Sequence, residues 1–114
     1  MPNPVVHFEI GGKDVPRLHR FYKDVFDWEI NSVPTMNYST IAPGGSDGIG
    51  GGIGHTDGPG HVTFYIQVDD LNAYLARIER LGGKIVMPPI EIPNVVGLAM
   101  FADPEGHIIG LVKS

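Results

Sequence analysis

Two strand-like stretches carry most of the side chains in this sequence that could do chemistry. In "VVHFEI", His7 and Glu9 stand two residues apart, so a strand puts both on one face. An imidazole that titrates near neutrality beside a carboxylate suits general acid–base work. In "HVTFYI", His61, Thr63 and Tyr65 share a face by the same alternation. A plainer reading stands beside this one. It makes His7 a hydrogen-bonded pocket histidine, Glu9 its partner or a rim residue, and His61 part of an exposed Pro-Gly-His turn. Tyr38 and Tyr65 each join an apolar ring to a hydroxyl that needs a partner. With Trp28, Met36, Met87, Met100 and Phe101 they could wall a small-molecule pocket, and each also reads as core. Phe21 and Tyr22 read as core, His19 and His55 as surface. One residue looks out of place. Gly110 sits inside the apolar run "HIIGLV", and glycine within a strand marks a bulge or a close approach by a ligand or another backbone.

The elements that must position these residues follow from an internal repeat. Shifted by 56 residues, "HFEI" falls on "TFYI", Asp14 falls on Asp70, and "SDGIGGGIG" falls on "ADPEGHIIG". That shift pairs Gly54 with Gly110. Each half reads as strand, helix and three strands. In the first half, Val5 to Ile10 precedes an Asp14 cap and a helix with Leu18, Phe21, Tyr22 and Val25 on one face. Pro16 is tolerable in its first turn. Strands from Trp28 to Val33, Tyr38 to Ala42 and Ile49 to Ile53 follow. In the second half, Asp69 or Asp70 caps a helix with Leu71, Tyr74, Leu75 and Ile78 on one face, and Gly82-Gly83 stops it. Strands from Lys84 to Met87, Val95 to Ala102 and His107 to Val112 follow, the last entered by a type I turn at "DPEG". The expected fold is α+β, two βαβββ modules (about 3–56 and 59–114) within a single domain spanning 1–114.

Composition excludes several function classes. The chain has 114 residues, no cysteine and a net charge of −5. Disulfides and cysteine chemistry are absent, and an acidic surface disfavours nucleic acid. No Lys or Arg occurs between Lys23 and Arg77. No apolar run approaches the ~20 residues of a membrane span, and no signal peptide is visible, so a cytoplasmic location is expected. The glycine-rich "PGGSDGIGGGIGHTDGPGH" lacks the spacing of a phosphate-binding loop and reads as turns plus a glycine-rich strand.

"VVHFEIGGKDVPRLHRFYKDVFDWEI", "VDDLNAYLARIERLGGKIVMPP" and "FADPEGHIIGLV" together resemble the vicinal oxygen chelate superfamily of glyoxalase I, extradiol dioxygenases and bleomycin-resistance proteins. The resemblance covers nearly the whole chain. It implies paired βαβββ modules whose mostly antiparallel strands curl into a cup, commonly in a homodimer. In metal-using relatives the ligands stand on the first and last strand of each module. Those positions fall here on His7, Thr63, Gly54 and Gly110, so one of four can bind a metal. A divalent site generally needs three or four donors. No cofactor is therefore predicted, and a divalent metal, if bound, would need a rearranged site from His7, Glu9 and His61. The expected function is small-molecule binding of the bleomycin-resistance type, with His7, Tyr38, Thr63, Tyr65, Met100 and Gly110 as ligand contacts. On that reading Gly110 leaves room at the cup floor. The alternative is a glyoxalase-like lyase or isomerase, or a dioxygenase-like enzyme, using His7 and Glu9.

Overall fold

A computed structural model describes residues 2–91 and 97–113. The element order is β1 (Val5–Gly12), α1 (Val15–Phe26), β2 (Ile30–Val33), a 3-10 turn (Pro34–Met36), β3 (Tyr38–Ile41) and β4 (Gly50–His55). The same order then recurs as β5 (His61–Val68), α2 (Leu71–Arg80), β6 (Lys84–Glu91), β7 (Gly97–Ala102) and β8 (Ile108–Lys113). Each half is thus β-α-β-β-β, an α+β arrangement, as the repeat requires. The predicted strand start at Val95 lies outside the described residues.

The chain divides into two compact units: His7–Thr63, and residues 2–6 with 64–113. In the first unit the sheet order is β2-β3-β4-β1, with β4 parallel to β1 and the other pairs antiparallel. Alternation sends Phe8, Ile10, Ile30, Ile41 and Ile53 to one face, where Val15, Leu18 and Tyr22 of α1 pack on them. Asp14 caps α1 by accepting a hydrogen bond from the Arg17 N–H at 3.1 Å, and Pro16 lies in the first turn. The buried stripe runs through Val15, Leu18 and Tyr22. Phe21 therefore turns outward and is 55% exposed, against its assignment to the core. Trp28 precedes β2 rather than opening it. Its indole stacks on Tyr22 with ring centres 5.2 Å apart and also meets Phe8 and Phe26, which makes it core, not pocket wall.

In the second unit the order is β5-β8-β7-β6, with β8 parallel to β5. Val68, Leu71, Leu75, Ala99 and Leu111 form its core, with Ile66, Tyr74, Ile78 and Phe101 against them. Here the predicted helix face is the buried one. Asp70 caps α2 through the Ala73 N–H, and Gly82 ends it at φ +102°. The turn before β8 closes as its sequence implies. The Asp103 carboxylate accepts from the backbone N–H groups of Glu105 and His107, at 3.0 and 2.9 Å.

The repeat is not uniform along its length. A shift of 56 relates β1 to β5 and Asp14 to Asp70. However, Ile10 pairs with Ile53 while Ile66, its counterpart, pairs with Leu111, an offset of 58. The structural counterpart of Gly110 is therefore Gly52, not Gly54. Extra residues in module two are accommodated by the longer β6, whose pairing with β7 slips between Ile85 and Met87 and between Met87 and Ile90.

Candidate functional site

On the sheet face away from α1, the first unit gathers polar groups around Glu9. Its Oε1 lies 3.3 Å from Nε2 of His61. His61 is the first residue of β5 rather than part of a turn, it remains exposed, and its imidazole fills the space a Gly11 side chain would occupy. Tyr38 pairs with Gly54 across β3 and β4, and its ring crosses the strand so that the hydroxyl lies over Gly52. The run "GGGIG" thus gives the tyrosine a floor with no side chains in its way. These residues open onto a cavity of about 390 Å³ completed by Met36, Asn37, His55 and Gly54.

Electrostatics fix the roles available to these groups. Burial, and then the Glu9 charge, push the Tyr38 hydroxyl up to about 12, so it remains a protonated donor at neutral pH. His7, on the Glu9 face of β1, is half-buried. Its desolvation pulls the imidazole below its ordinary value, and the nearby Glu9 charge partly opposes that pull. The site therefore offers an acceptor at Glu9, a donor at Tyr38, an imidazole at His61, and a thioether and amide from Met36 and Asn37. His55, read from sequence as a surface loop residue, ends β4, lines the cavity and pairs with Asp57 at 2.8 Å. The "HTD" spacing of His55 and Asp57 was the available signal for that pair. Nothing in sequence pointed to Asn37.

The other predicted contacts are placed differently. Thr63 is buried at 5% exposure. In the second unit, Tyr65, Gly110, Met100 and Met87 form one row across β5, β8, β7 and β6, on the face away from α2. Gly110 does not leave an open floor. Tyr65, only 8% exposed, lays its ring over Gly110, and a side chain there would overlap that ring. Both last-strand glycines, Gly52 and Gly110, are thus covered by a tyrosine from a neighbouring strand. His19 is not a plain surface residue either, since its Nδ1 lies 3.1 Å from Oγ of the buried Ser39.

The metal chemistry implied by the fold does not fit these residues. The last-strand positions carry aromatic rings over glycine backbone, and no cluster of three or more His, Cys, Asp or Glu able to hold a metal ion occurs among the described residues. His7, Glu9 and His61 form no such cluster.

The two βαβββ halves and their parallel first and last strands define a class of protein. The model of the Glyoxalase/Bleomycin resistance protein/Dioxygenase superfamily matches residues 5–111, and the chain belongs to that superfamily. A glyoxylase-like domain-containing protein of Didymella fabae is 30% identical over 118 residues, covering 90% of this chain and 91% of the relative. The anthracycline biosynthesis protein DnrV of Streptomyces peucetius is 27% identical over 123 residues, covering 92% of this chain. The chain spans 45% of the length of that relative. A crystal structure of the hypothetical protein BH1468 from Bacillus halodurans shares the fold at a TM-score of 0.74 and 10% identity, covering 100% of this chain and 96% of the other. Among the described residues no helix is long and apolar enough to cross a membrane.

Proposed function

We propose that this protein binds a small, uncharged organic molecule bearing hydroxyl or carbonyl groups, in the cavity around Glu9, Tyr38 and His61, without a metal. One observation carries the reading. The cavity sets an acceptor, Glu9, beside a protonated donor, Tyr38, while the last-strand positions from which a metal would be held are glycines under tyrosine rings. A ligand hydroxyl satisfies the carboxylate, a ligand carbonyl or phenol oxygen accepts from Tyr38, and Met36 gives an adaptable apolar contact. A carboxylate at the centre of the site disfavours anions there. The reading includes a cytoplasmic homodimer. The exposed Phe21, Val25 and Phe26 on one helix support association, and light scattering on the eluting protein tests it.

Native mass spectrometry of freshly purified protein tests the binding reading. A retained organic molecule in wild type, lost in Glu9→Gln and Tyr38→Phe, is the expected result. Stoichiometric zinc, nickel, iron or manganese in wild type, lost in His7→Ala, overturns it.

The Glu9–His61 pair favours a second reading, a metal-free lyase or isomerase. In this reading Glu9 removes a proton next to a substrate carbonyl, His61 orients the carboxylate, and Tyr38 donates to the developing enolate oxygen. Deuterium uptake next to a carbonyl in heavy water, abolished in Glu9→Gln, identifies it. His7, on the same strand face as Glu9, stays a candidate partner of that carboxylate beside His61.

A further inference from the structure

A second cavity in the first unit, of about 470 Å³, lies between α1 and the β2–β3 connection and differs in chemistry from the first. Its lining includes His19, Arg20, Ser32, Asn37 and Ser39, with Val15 as an apolar wall, and no Asp or Glu. Ser39 is 1% exposed, and its hydroxyl is paired with Nδ1 of His19. That contact fixes the imidazole and leaves Nε2 as the ring nitrogen available to a ligand. Among the described residues Arg20 makes no ion pair.

The surrounding charge reinforces the contrast. The chain is acidic overall, yet four of its eight Lys and Arg residues fall between Lys13 and Lys23. A concave site lined by cations and hydrogen-bond donors, with carboxylates kept off its walls, concentrates anions. A guanidinium also presents a planar fork matched to carboxylate and phosphate oxygens.

We propose that the cavity bounded by His19, Arg20, Ser32 and Ser39 is an anion-binding site, separate from the Glu9 cavity, that takes the carboxylate or phosphate group of a small organic acid. Arg20 supplies the charge, Nε2 of His19 and the hydroxyl of Ser32 supply directional contacts, and Val15 meets the apolar part of the ligand. The two cavities share Asn37 and Tyr38 in their linings, but His19, Arg20 and Ser32, which carry this proposal, do not line the Glu9 cavity.

The test is an NMR titration of the full chain, following the His19 ring, with sodium benzoate in one arm and inorganic phosphate in the other at constant ionic strength. A saturable shift in either arm is expected, and the arm that saturates names the anion. Removing one charge-assisted contact in Arg20→Gln should weaken that binding about tenfold or more. Arg80→Gln, on α2, should leave it unchanged. Arg20 is exposed, so its variant should keep the wild-type melting temperature, and His19→Gln serves as a second variant with the same expected loss. Non-saturating shifts in both arms overturn the proposal. So does equal affinity in wild type and Arg20→Gln, or equal weakening by Arg80→Gln, which would mark diffuse charge attraction.

Discussion

Tyr38 ties the local chemistry to a measurable property. Its folded-state pKa lies near 12 against an ordinary 10.0. Between those values the unfolded chain ionises first, so the stability this residue contributes is complete below pH 10 and falls as pH rises toward 12. Denaturant titrations across that window should show the decline, and Tyr38→Phe should remove part of it. Tyrosinate absorbance should show this hydroxyl titrating earlier in Glu9→Gln, though still late, because burial is the larger cause. His7 carries the opposite sign. Its pKa is lowered, so the fold loses stability as pH drops through the ordinary histidine range and the unfolded chain takes up the proton first. Glu9→Gln should lower it further, as ring proton shifts in an NMR titration would reveal. These residues were visible in sequence as types and spacings. Glu9 and His61 were grouped in sequence only as donors of a rearranged metal site, and the cover of Gly52 by Tyr38 was not legible, because both contacts depend on how separate strands pair.

Elements with strong local signals were read correctly. Asp14, Asp70, Gly82 and the Asp103 turn each act through hydrogen bonds or backbone angles within a few residues, so the sequence contains their whole cause. Asp14→Ala and Asp70→Ala should each cost about 1 kcal/mol in chemical denaturation, without altering the site. Leu75, 2% exposed in the second core, should cost about 2–5 kcal/mol when changed to Ala. Phe21 shows where local reading stops. Leu18, Phe21, Tyr22 and Val25 fit helical spacing, but so do Val15, Leu18 and Tyr22, and the sheet beneath decides between the two stripes. The buried choice includes Val15 because Asp14 starts the helix one residue before it. Phe21→Ser should accordingly cost little stability, in contrast to Leu18→Ser.

At the scale of the whole molecule, the repeat revealed the architecture and misplaced one row. A single shift described the first strands and the caps, while two additional residues in module two moved the counterpart of Gly110 from Gly54 to Gly52. Pairing register depends on strand lengths and bulges, which an ungapped comparison of halves cannot register. The superfamily, by contrast, was legible because the residues that carry the resemblance form short local words: Phe21-Tyr22 in α1, Asp69-Asp70 ahead of α2, and the Asp103–Gly106 turn. The binding reading belongs to this scale too, and the retained-ligand and elemental measurements decide it on the intact protein.

The tyrosine over each last-strand glycine has a consequence for mutational order. A carboxylate introduced by Gly110→Glu enters space already held by the Tyr65 ring, so alone it should destabilise the fold, by about 1–3 kcal/mol as overpacking typically does. Made after Tyr65→Ala, the same change should cost much less, and a double-mutant cycle should give a coupling of about 0.5–3 kcal/mol. Exchanging the tyrosine ring for a carboxylate at Gly110 therefore has a passable sequence of steps and a blocked one. The ring must leave before the acid can arrive.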